Sequence, residues 1–339
     1  MKTAVVILNW NGKSLLKQFL PSVWNHSHEE AEVIVADNGS EDDSVAFVRE
    51  NYPQIRIIAL DKNYGFPEGY NKALKQVEAE YYVLLNSDVE VSPHWLSPIV
   101  EMMDSDPNIA VCQPKLLSHL DKTLFEYAGS AGGFIDKLGY PFCRGRLFDT
   151  LEKDCGQYDF PCDIFWATGA AMFVRADLYH KHGGLDGSFF AHMEEVDFCW
   201  RIKNLGYRVV CNPASVCYHL GGATLPKSSA RKTFLNFRNN ALMLYKNLSP
   251  KDFRKIYRTR KILDFVAAVM FFATGKTQDA KAVFKAHREF KRMRRSGNHK
   301  QTMETGKKPS GVYDHSIVWA YYAKRIKTFG KLDESKFSK

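Results

Sequence analysis

The sequence predicts an α/β protein with an open, mainly parallel sheet flanked by helices, followed by a basic helical extension. Three observations predict it. Short runs of Val, Ile and Leu alternate with helical periodicity through the first hundred residues, small polar residues follow each run, and charge divides sharply near Pro226. Of the 339 residues, 226–339 hold 28 Lys/Arg against 8 Asp/Glu, whereas 1–225 hold 19 against 30. Such a division separates an α/β unit, 1–225, from an extension, 226–339.

The elements follow in order. Ala4–Leu8, Glu32–Ala36, Ile55–Leu60 and Tyr81–Leu85 read as strands buried on both faces. Leu15, Leu16, Phe19, Leu20, Val23 and Trp24 recur at helical spacing, with Pro21 expected to kink or restart that helix. Ser40 ahead of Asp43 resembles a helix cap with an acidic first turn, and Ser92-Pro93 repeats the start signal. Between 115 and 165 six glycines break any period, which reads as loops and short strands over the sheet edge. Regular structure resumes with a strand at Gly169–Arg175 and a helix at Glu194–Leu205 closed by Gly206. A strand pair, Tyr207–Cys211 and Ser215–Tyr218, follows. The N-terminus reads as a first strand rather than a signal peptide. Seven cysteines without a C-x-x-C pair fit a reducing cytoplasm and speak against structural zinc.

In an open parallel sheet, ligands bind beyond the carboxyl ends of the strands. Here those ends are Asn9-Trp10-Asn11-Gly12, Asp37-Asn38-Gly39-Ser40, Asn63-Tyr64-Gly65-Phe66 and Asn86-Ser87-Asp88. One such end is ordinary turn chemistry, but four along one edge mark a binding site. Asp37 can accept an N–H from a pyrimidine base or close an Asx-turn with Gly39 and Ser40. Asp88 follows a buried run, where an unpaired carboxylate is costly, so it reads either as a ligand for a hard divalent cation or as a turn cap. His219 ends the last strand and becomes a nitrogen ligand if a metal lies nearby. Glu194 and Glu195 begin a helix beneath Phe189-Phe190. They complement a helix dipole, or their crowding raises one carboxyl pKa toward the range of a general base. Asp197 and Arg201 have the spacing of a surface ion pair.

VVILNWNG, IVADNGSEDDS, NYGFPEGYN, LLNSDVEV, ATGAAMFVR, FFAHMEEVDFCWRI and YHLGG occur in this order over about residues 3–245. Together they resemble glycosyltransferase family 2, of GT-A (Rossmann-like) fold, and within it the rhamnosyltransferase-like bacterial branch. The resemblance implies that Asp37 contacts the nucleotide base, with Asn9 and Asn11 in the same pocket. It implies that Asn63, Gly65 and Asn71 shape the nucleotide-sugar wall. Asn86-Ser87-Asp88 takes the place of the D-x-D motif, Asn86 replacing its first aspartate, and Asp88 with His219 would hold Mg2+ or Mn2+. Trp166, Thr168 and Gly169 match the block near acceptor and donor sugar. Glu195 takes the general-base position beside Glu194. The implied reaction is inverting transfer of a sugar from a UDP- or dTDP-sugar, dTDP-rhamnose among them, to a hydroxyl of a lipid-linked glycan.

Beyond 226, residues 228–248 read as a helix packed on the catalytic unit through Phe234, Phe237, Leu242, Leu244 and Tyr245. Arg254, Lys255, Arg258, Arg260 and Lys261 precede the apolar run Ile262–Ala273, which is too short to span a bilayer. A cationic stretch, Lys281–Arg295, follows with Val283, Phe284, Phe290 and Met293 between its charges. The pattern suits an interfacial helix on an anionic membrane, and places the protein peripherally on the inner face of the cytoplasmic membrane. Nucleic acid is not expected as a partner, because the acidic half repels a polyanion. Residues 296–312 are expected to be partly disordered. Two other readings remain: a nucleotidyltransferase, for which NWNGKS is a poor phosphate loop, and a non-catalytic nucleotide-sugar-binding scaffold.

Overall fold

The computed structural model describes residues 1–126, 129–221, 229–297 and 309–338. The first half runs β1 (Thr3–Asn9), α1 (Lys13–Asn25), β2 (Ala31–Asp37), α2 (Ser44–Asn51), β3 (Arg56–Ala59), α3 (Gly65–Leu74), β4 (Tyr81–Asn86), β5 (Val89–Val91) and α4 (Ser97–Ser105). It continues with β6 (Ile109–Ser118), β7 (Gly133–Asp136), β8 (Pro141–Cys143), β9 (Arg146–Leu147), β10 (Thr150–Leu151), β11 (Cys162–Asp163) and β12 (Ala171–Arg175). Then come α5 (Ala176–Lys181), α6 (Glu194–Asn204), β13 (Arg208–His219), α7 (Ala230–Asn247), α8 (Pro250–Ala273), α9 (Thr277–Arg295), β14 (Val312–Tyr313) and α10 (Ile317–Tyr322).

The main sheet has the order β3-β2-β1-β4-β12-β6-β13-β11, with β5 pairing β13. The β1–β4 strands are parallel, β12 is antiparallel to both its neighbours, and β13 is parallel to β6. Alternate residues of one strand serve opposite cores. Val5 and Ile7 face Leu16, Leu20, Val48 and Ile99 from α1, α2 and α4, while Ala4 and Val6 face Tyr70, Leu74, Tyr179 and Phe198 from α3, α5 and α6. Coverage on both faces explains why these strands read as continuous apolar runs.

Local differences from the sequence reading have identifiable causes. α1 runs uninterrupted through Pro21, whose i−4 residue, Lys17, lies on the exposed side where water can satisfy its carbonyl. Ser40 does not cap α2: the cap position is Asp43, and the Ser40 hydroxyl instead donates to Asp37. Ser92 donates to the Val216 carbonyl rather than starting a helix. The helix waits for the second Ser-Pro, Ser97-Pro98, after fully buried Trp95 anchors the turn. The expected strand pair at 207–218 is one strand, β13, with a register shift between Asn212 and Val216.

Residues 133–151 form four strands of a second, five-stranded sheet whose order is β10-β9-β8-β7-β14. Its fifth strand, β14, comes from the C-terminal extension and pairs parallel with β7. That extension is therefore woven into the catalytic unit. α7 is buried from Asn239 to Asn247, and Phe329 and Phe337 pack on Phe134. Most of the segment expected to be disordered lies outside the described residues, at 298–308; Val312, near its end, is in β14.

Candidate active site

The register of β1 against β2 places Asn9 directly beside Asp37. Asn9 Nδ2 donates to Asp37 Oδ1 at 3.0 Å, the Ser40 hydroxyl donates to the same oxygen at 2.6 Å, and the Ser40 N–H donates to Oδ2 at 3.0 Å. The Asx-type turn thus exists, with two donors on Oδ1 and the Ser40 N–H on Oδ2. Asn11, at φ +49°, ties the two strand ends together: its N–H donates to Ser40 Oγ and its side-chain oxygen accepts from Glu41 N. Gly12 lies so close to Asn9 Oδ1 that a Cβ there would sit 2.3 Å away, and Ser87 Oγ is the next neighbour. The ends of β1, β2 and β4 therefore meet.

The third strand end joins through Asn38, a buried residue that stood out only as part of a turn. Its amide donates to Asn63 Oδ1 and to the Gly65 carbonyl, and its oxygen accepts from Tyr64 N. Gly65, at φ +78°, is required as glycine: a Cβ would lie 2.9 Å from both the ring and the carbonyl of Phe190. Asn71 is placed elsewhere. Its amide donates to Leu185 O, and its oxygen accepts from Leu185 N and from the Tyr179 hydroxyl, so it holds the 183–185 loop.

Asn86 closes β4, its N–H bound to Ala170 O. Beyond it, pairing of β5 with β13 sets Val89 opposite His219 and brings Asp88 Oδ1 within 3.1 Å of His219 Nε2. The other ring nitrogen, Nδ1, lies 3.2 Å from Glu126 Oε2, and all three residues are buried. Burial alone would lower the His219 pKa, but its two carboxylates raise it to about 10, so the ring is an imidazolium. Burial likewise opposes charge on Asp88, and His219 overrides that to hold its pKa below the ordinary carboxylate value. Glu126 is a residue that sequence reasoning missed; a lone acid in Leu124-Phe125-Glu126 was its one signal.

The donor set fits a divalent cation. Two ligands on adjacent corners of an octahedron with bonds of about 2.1 Å stand roughly 3 Å apart, matching the Asp88–His219 separation of 3.1 Å. Glu126 would then take the Nδ1 proton, the usual partner of a metal-bound imidazole. Among the described residues no three such side chains form a self-sufficient metal site, so donor oxygens or water would complete the shell.

Glu194 and Glu195 open α6. Glu194 is buried and Glu195 half-buried, and one oxygen of each carboxyl has no hydrogen-bond partner among the described residues. Burial, and then the neighbouring carboxylate of Glu195, push Glu194 well above the usual range; burial pushes Glu195 to about 7. Gly169 packs between Phe66 of α3 and Glu195. Trp166 is further back: its ring covers Gly133 and its indole N–H donates to Phe134 O, so it floors the site from between the two sheets. Thr168 is buried beside Gly129, its N–H bound to Gln113 Oε1. Asp197 forms no surface ion pair. It is fully buried and accepts from Arg201, Lys246 and Asn247, the last two from α7.

A mainly parallel sheet flanked by helices, with polar residues at the carboxyl ends of its parallel strands, is the GT-A glycosyltransferase fold. Two solved structures bear out the fold, each at 15% identity. One is GalNAc-T7 with UDP, GalNAc and Mn2+ (TM-score 0.56; 73% of this chain, 48% of that one). The other is the Pyrobaculum calidifontis mannosyltransferase PcManGT with GDP-Man and Mn2+ (TM-score 0.52; 87% and 79%). The chain thus spans about half the length of the first of these.

More particularly, residues 4–166 match the sequence model of glycosyl transferase family 2. It is 24% identical over 237 residues to the N-acetylglucosaminyl-diphospho-decaprenol L-rhamnosyltransferase of Mycobacterium tuberculosis, covering 65% of this chain and 76% of that one. Both matches support glycosyl transfer over nucleotidyl transfer.

Proposed function

We propose that the protein transfers a sugar, with inversion, from a UDP- or dTDP-sugar to a hydroxyl of a lipid-linked glycan at an anionic membrane surface. The observation that carries the reading is the meeting of the β1, β2 and β4 ends, with Asp37 held by Asn9 and Ser40 and Asp88 paired with His219 just past β4, while Gly169 packs against both Phe66 and Glu195 of α6. Asp37 Oδ2 accepts the imide N–H of uracil or thymine. Glu195 takes the acceptor proton as that oxygen attacks the anomeric carbon, and the bond from that carbon to the diphosphate breaks with its electron pair staying on the diphosphate. Asp88 and His219 would hold Mg2+ or Mn2+, which supplies Lewis-acid neutralisation of the departing diphosphate. Since His219 is protonated without the cation, loading releases a proton and weakens as pH falls. The name of the mycobacterial relative supports a lipid-linked acceptor and makes dTDP-rhamnose the first donor to try.

The membrane surface is supported by α8. Ile262, Phe265, Val266, Val269, Met270 and Phe272 are all exposed and recur at helical spacing on one face, while Phe253, Asp264 and Ala268 face inward. Exposed Arg258 and Lys261 on α8, Lys276 in the turn after it and Lys281 and Lys285 on α9 add positive charge to the same pair of helices. On α9 only Phe284 continues it, because Val283 and Phe290 are buried and Met293 packs on the core. No described helix is long and apolar enough to cross a membrane.

The test is a screen of UDP-, dTDP- and GDP-sugars with the full chain, with and without Mn2+. One pyrimidine donor should stabilise the fold by about 2.7 kcal/mol at a hundred times its Kd and be consumed only with metal. Asp88→Asn should abolish consumption while the melting temperature without ligand holds. Undiminished turnover in excess chelator, or full activity of Asp88→Asn, would refute the metal centre.

A further inference from the structure

The turn that delivers Glu195 is built from unfavourable backbone. Phe190, His192 and Met193 have φ of +66°, +70° and +74°, three non-glycine residues of four in the left-handed region. Such conformations are unfavourable for residues that carry a side chain and persist only where the surroundings impose them. Loop residues alone cannot impose this one. Asp186 caps the short turn Gly187–Phe189, but α6 has no side-chain cap at Met193.

What imposes it is α7. Asn239 is fully buried, and its side-chain NH2, sharing one of its two hydrogens, lies within hydrogen-bond distance of three carbonyls of the turn: Phe189 at 3.0 Å, Ala191 at 2.7 Å and His192 at 2.8 Å. Left-handed residues rotate successive carbonyls out of their usual alternation, which lets three of them converge on one NH2 group. Arg238 completes the grip. Its guanidinium donates to Ser188 O and Phe189 O, and its Nε donates to Asn239 Oδ1, which fixes the amide orientation. The same turn reaches the donor side, where the Phe190 carbonyl accepts from Phe66 N and the Phe190 ring abuts Gly65.

We propose that Asn239, oriented by Arg238, is a positioning residue that holds the 190–193 turn so that the Glu195 carboxyl keeps its place beside Gly169 and Phe66. This rests on Glu195 being the base. The extension beyond residue 226 thereby becomes part of the catalytic machinery. A loosened turn would let water reach Glu195, whose titratable neighbours are Glu194 on its own helix and the buried thiols of Cys199 and of Cys143 on β8.

The experiment measures kcat and donor KM against pH for the full-length wild type and for Asn239→Ala, Asn239→Ser, Arg238→Met and Glu195→Gln. Asn239→Ala is expected to lower kcat at least about 10-fold with donor KM within about threefold, and to move the acid limb of kcat down by a pH unit or more. Asn239→Ser, which keeps one donor, should recover part of both. Arg238→Met should act in the same direction more weakly, and decides alone if Asn239→Ala does not fold. A loss of kcat with an unmoved acid limb, or folded variants with wild-type kinetics, would overturn the proposal. If the limb survives in Glu195→Gln, the base assignment falls and this proposal falls with it.

Discussion

Replacing Glu195 with Gln preserves side-chain shape and removes the proton acceptor. Because burial sets the carboxyl near 7, about half the molecules carry the base form at pH 7 and about one in a hundred at pH 5. Wild-type kcat should therefore climb roughly 50-fold from pH 5 to pH 7 and level off above pH 8. A positioned base contributes about 10²–10⁴-fold, or roughly 2.7–5.4 kcal/mol, so Glu195→Gln should lose that much at pH 8 and show a flat profile. Glu194→Gln should be milder. Burial, and then the neighbouring Glu195 carboxylate, hold its carboxyl well above the ordinary range, which favours the uncharged form, so the substitution changes the charge less than at Glu195. The assay is initial release of nucleoside diphosphate at saturating donor from pH 5 to 8.5. A larger loss in Glu194→Gln than in Glu195→Gln would reverse the roles. An unchanged acid limb in Glu195→Gln would remove it as the base.

Two further perturbations probe the extension. Phe265→Ser, Met270→Ser and Phe272→Ser together remove exposed apolar side chains worth up to about 1.5–3 kcal/mol each when fully buried. The triple variant should keep its melting temperature yet lose sedimentation with phosphatidylglycerol vesicles, and equal binding by both proteins would refute the surface. Wild-type binding should weaken with salt without vanishing, since the apolar part is unscreened. A chain cut near Ser249 cannot serve this purpose, because it would also remove Phe253, Phe290 and Leu332 from the core. Asp197→Asn should cost about 3–5 kcal/mol in urea unfolding, near the lower figure because Lys246 retains Asp186. A loss below 1 kcal/mol would mean that the buried charges rearrange freely.

The nucleotide edge was legible because fully buried parallel strands advertise themselves as apolar runs, and the residues just past each run form the ligand edge. Asn9, Asn11, Asp37, Asn63 and Gly65 converge as their strand-end positions imply. Asn71 was less legible: it lies one helical turn past the glycine motif, where a change in helix direction decides what the side chain meets, and here it meets Leu185. The second sheet left almost no trace, because strands of two to four residues broken by Gly139 and Gly145 have no measurable period. Its fifth strand comes from beyond residue 310, which no local pattern can announce. Asp197 read as exposed since i,i+4 spacing records proximity and not solvent; Lys246 and Asn247, fifty residues away, bury it. Arg238-Asn239-Asn240 did leave a signal, a polar triplet entering the apolar run Ala241–Leu244, but only the strained turn explains it.

The return of the chain end to the second sheet has a consequence for how the protein is made. Phe329 N donates to Glu152 across 177 positions, and Ile317 N donates to Asp136 across 181. A ribosome adding about 5–20 residues per second needs roughly 10–35 s to bridge that interval. Throughout it, Phe134 and Phe142 await the rings of Phe329 and Phe337, which do not yet exist. The core around Phe134 and Phe142 is closed only once residues 312–337 have been made. A message cut short before them therefore leaves an apolar seam open, the kind of surface that chaperones and proteases recognise.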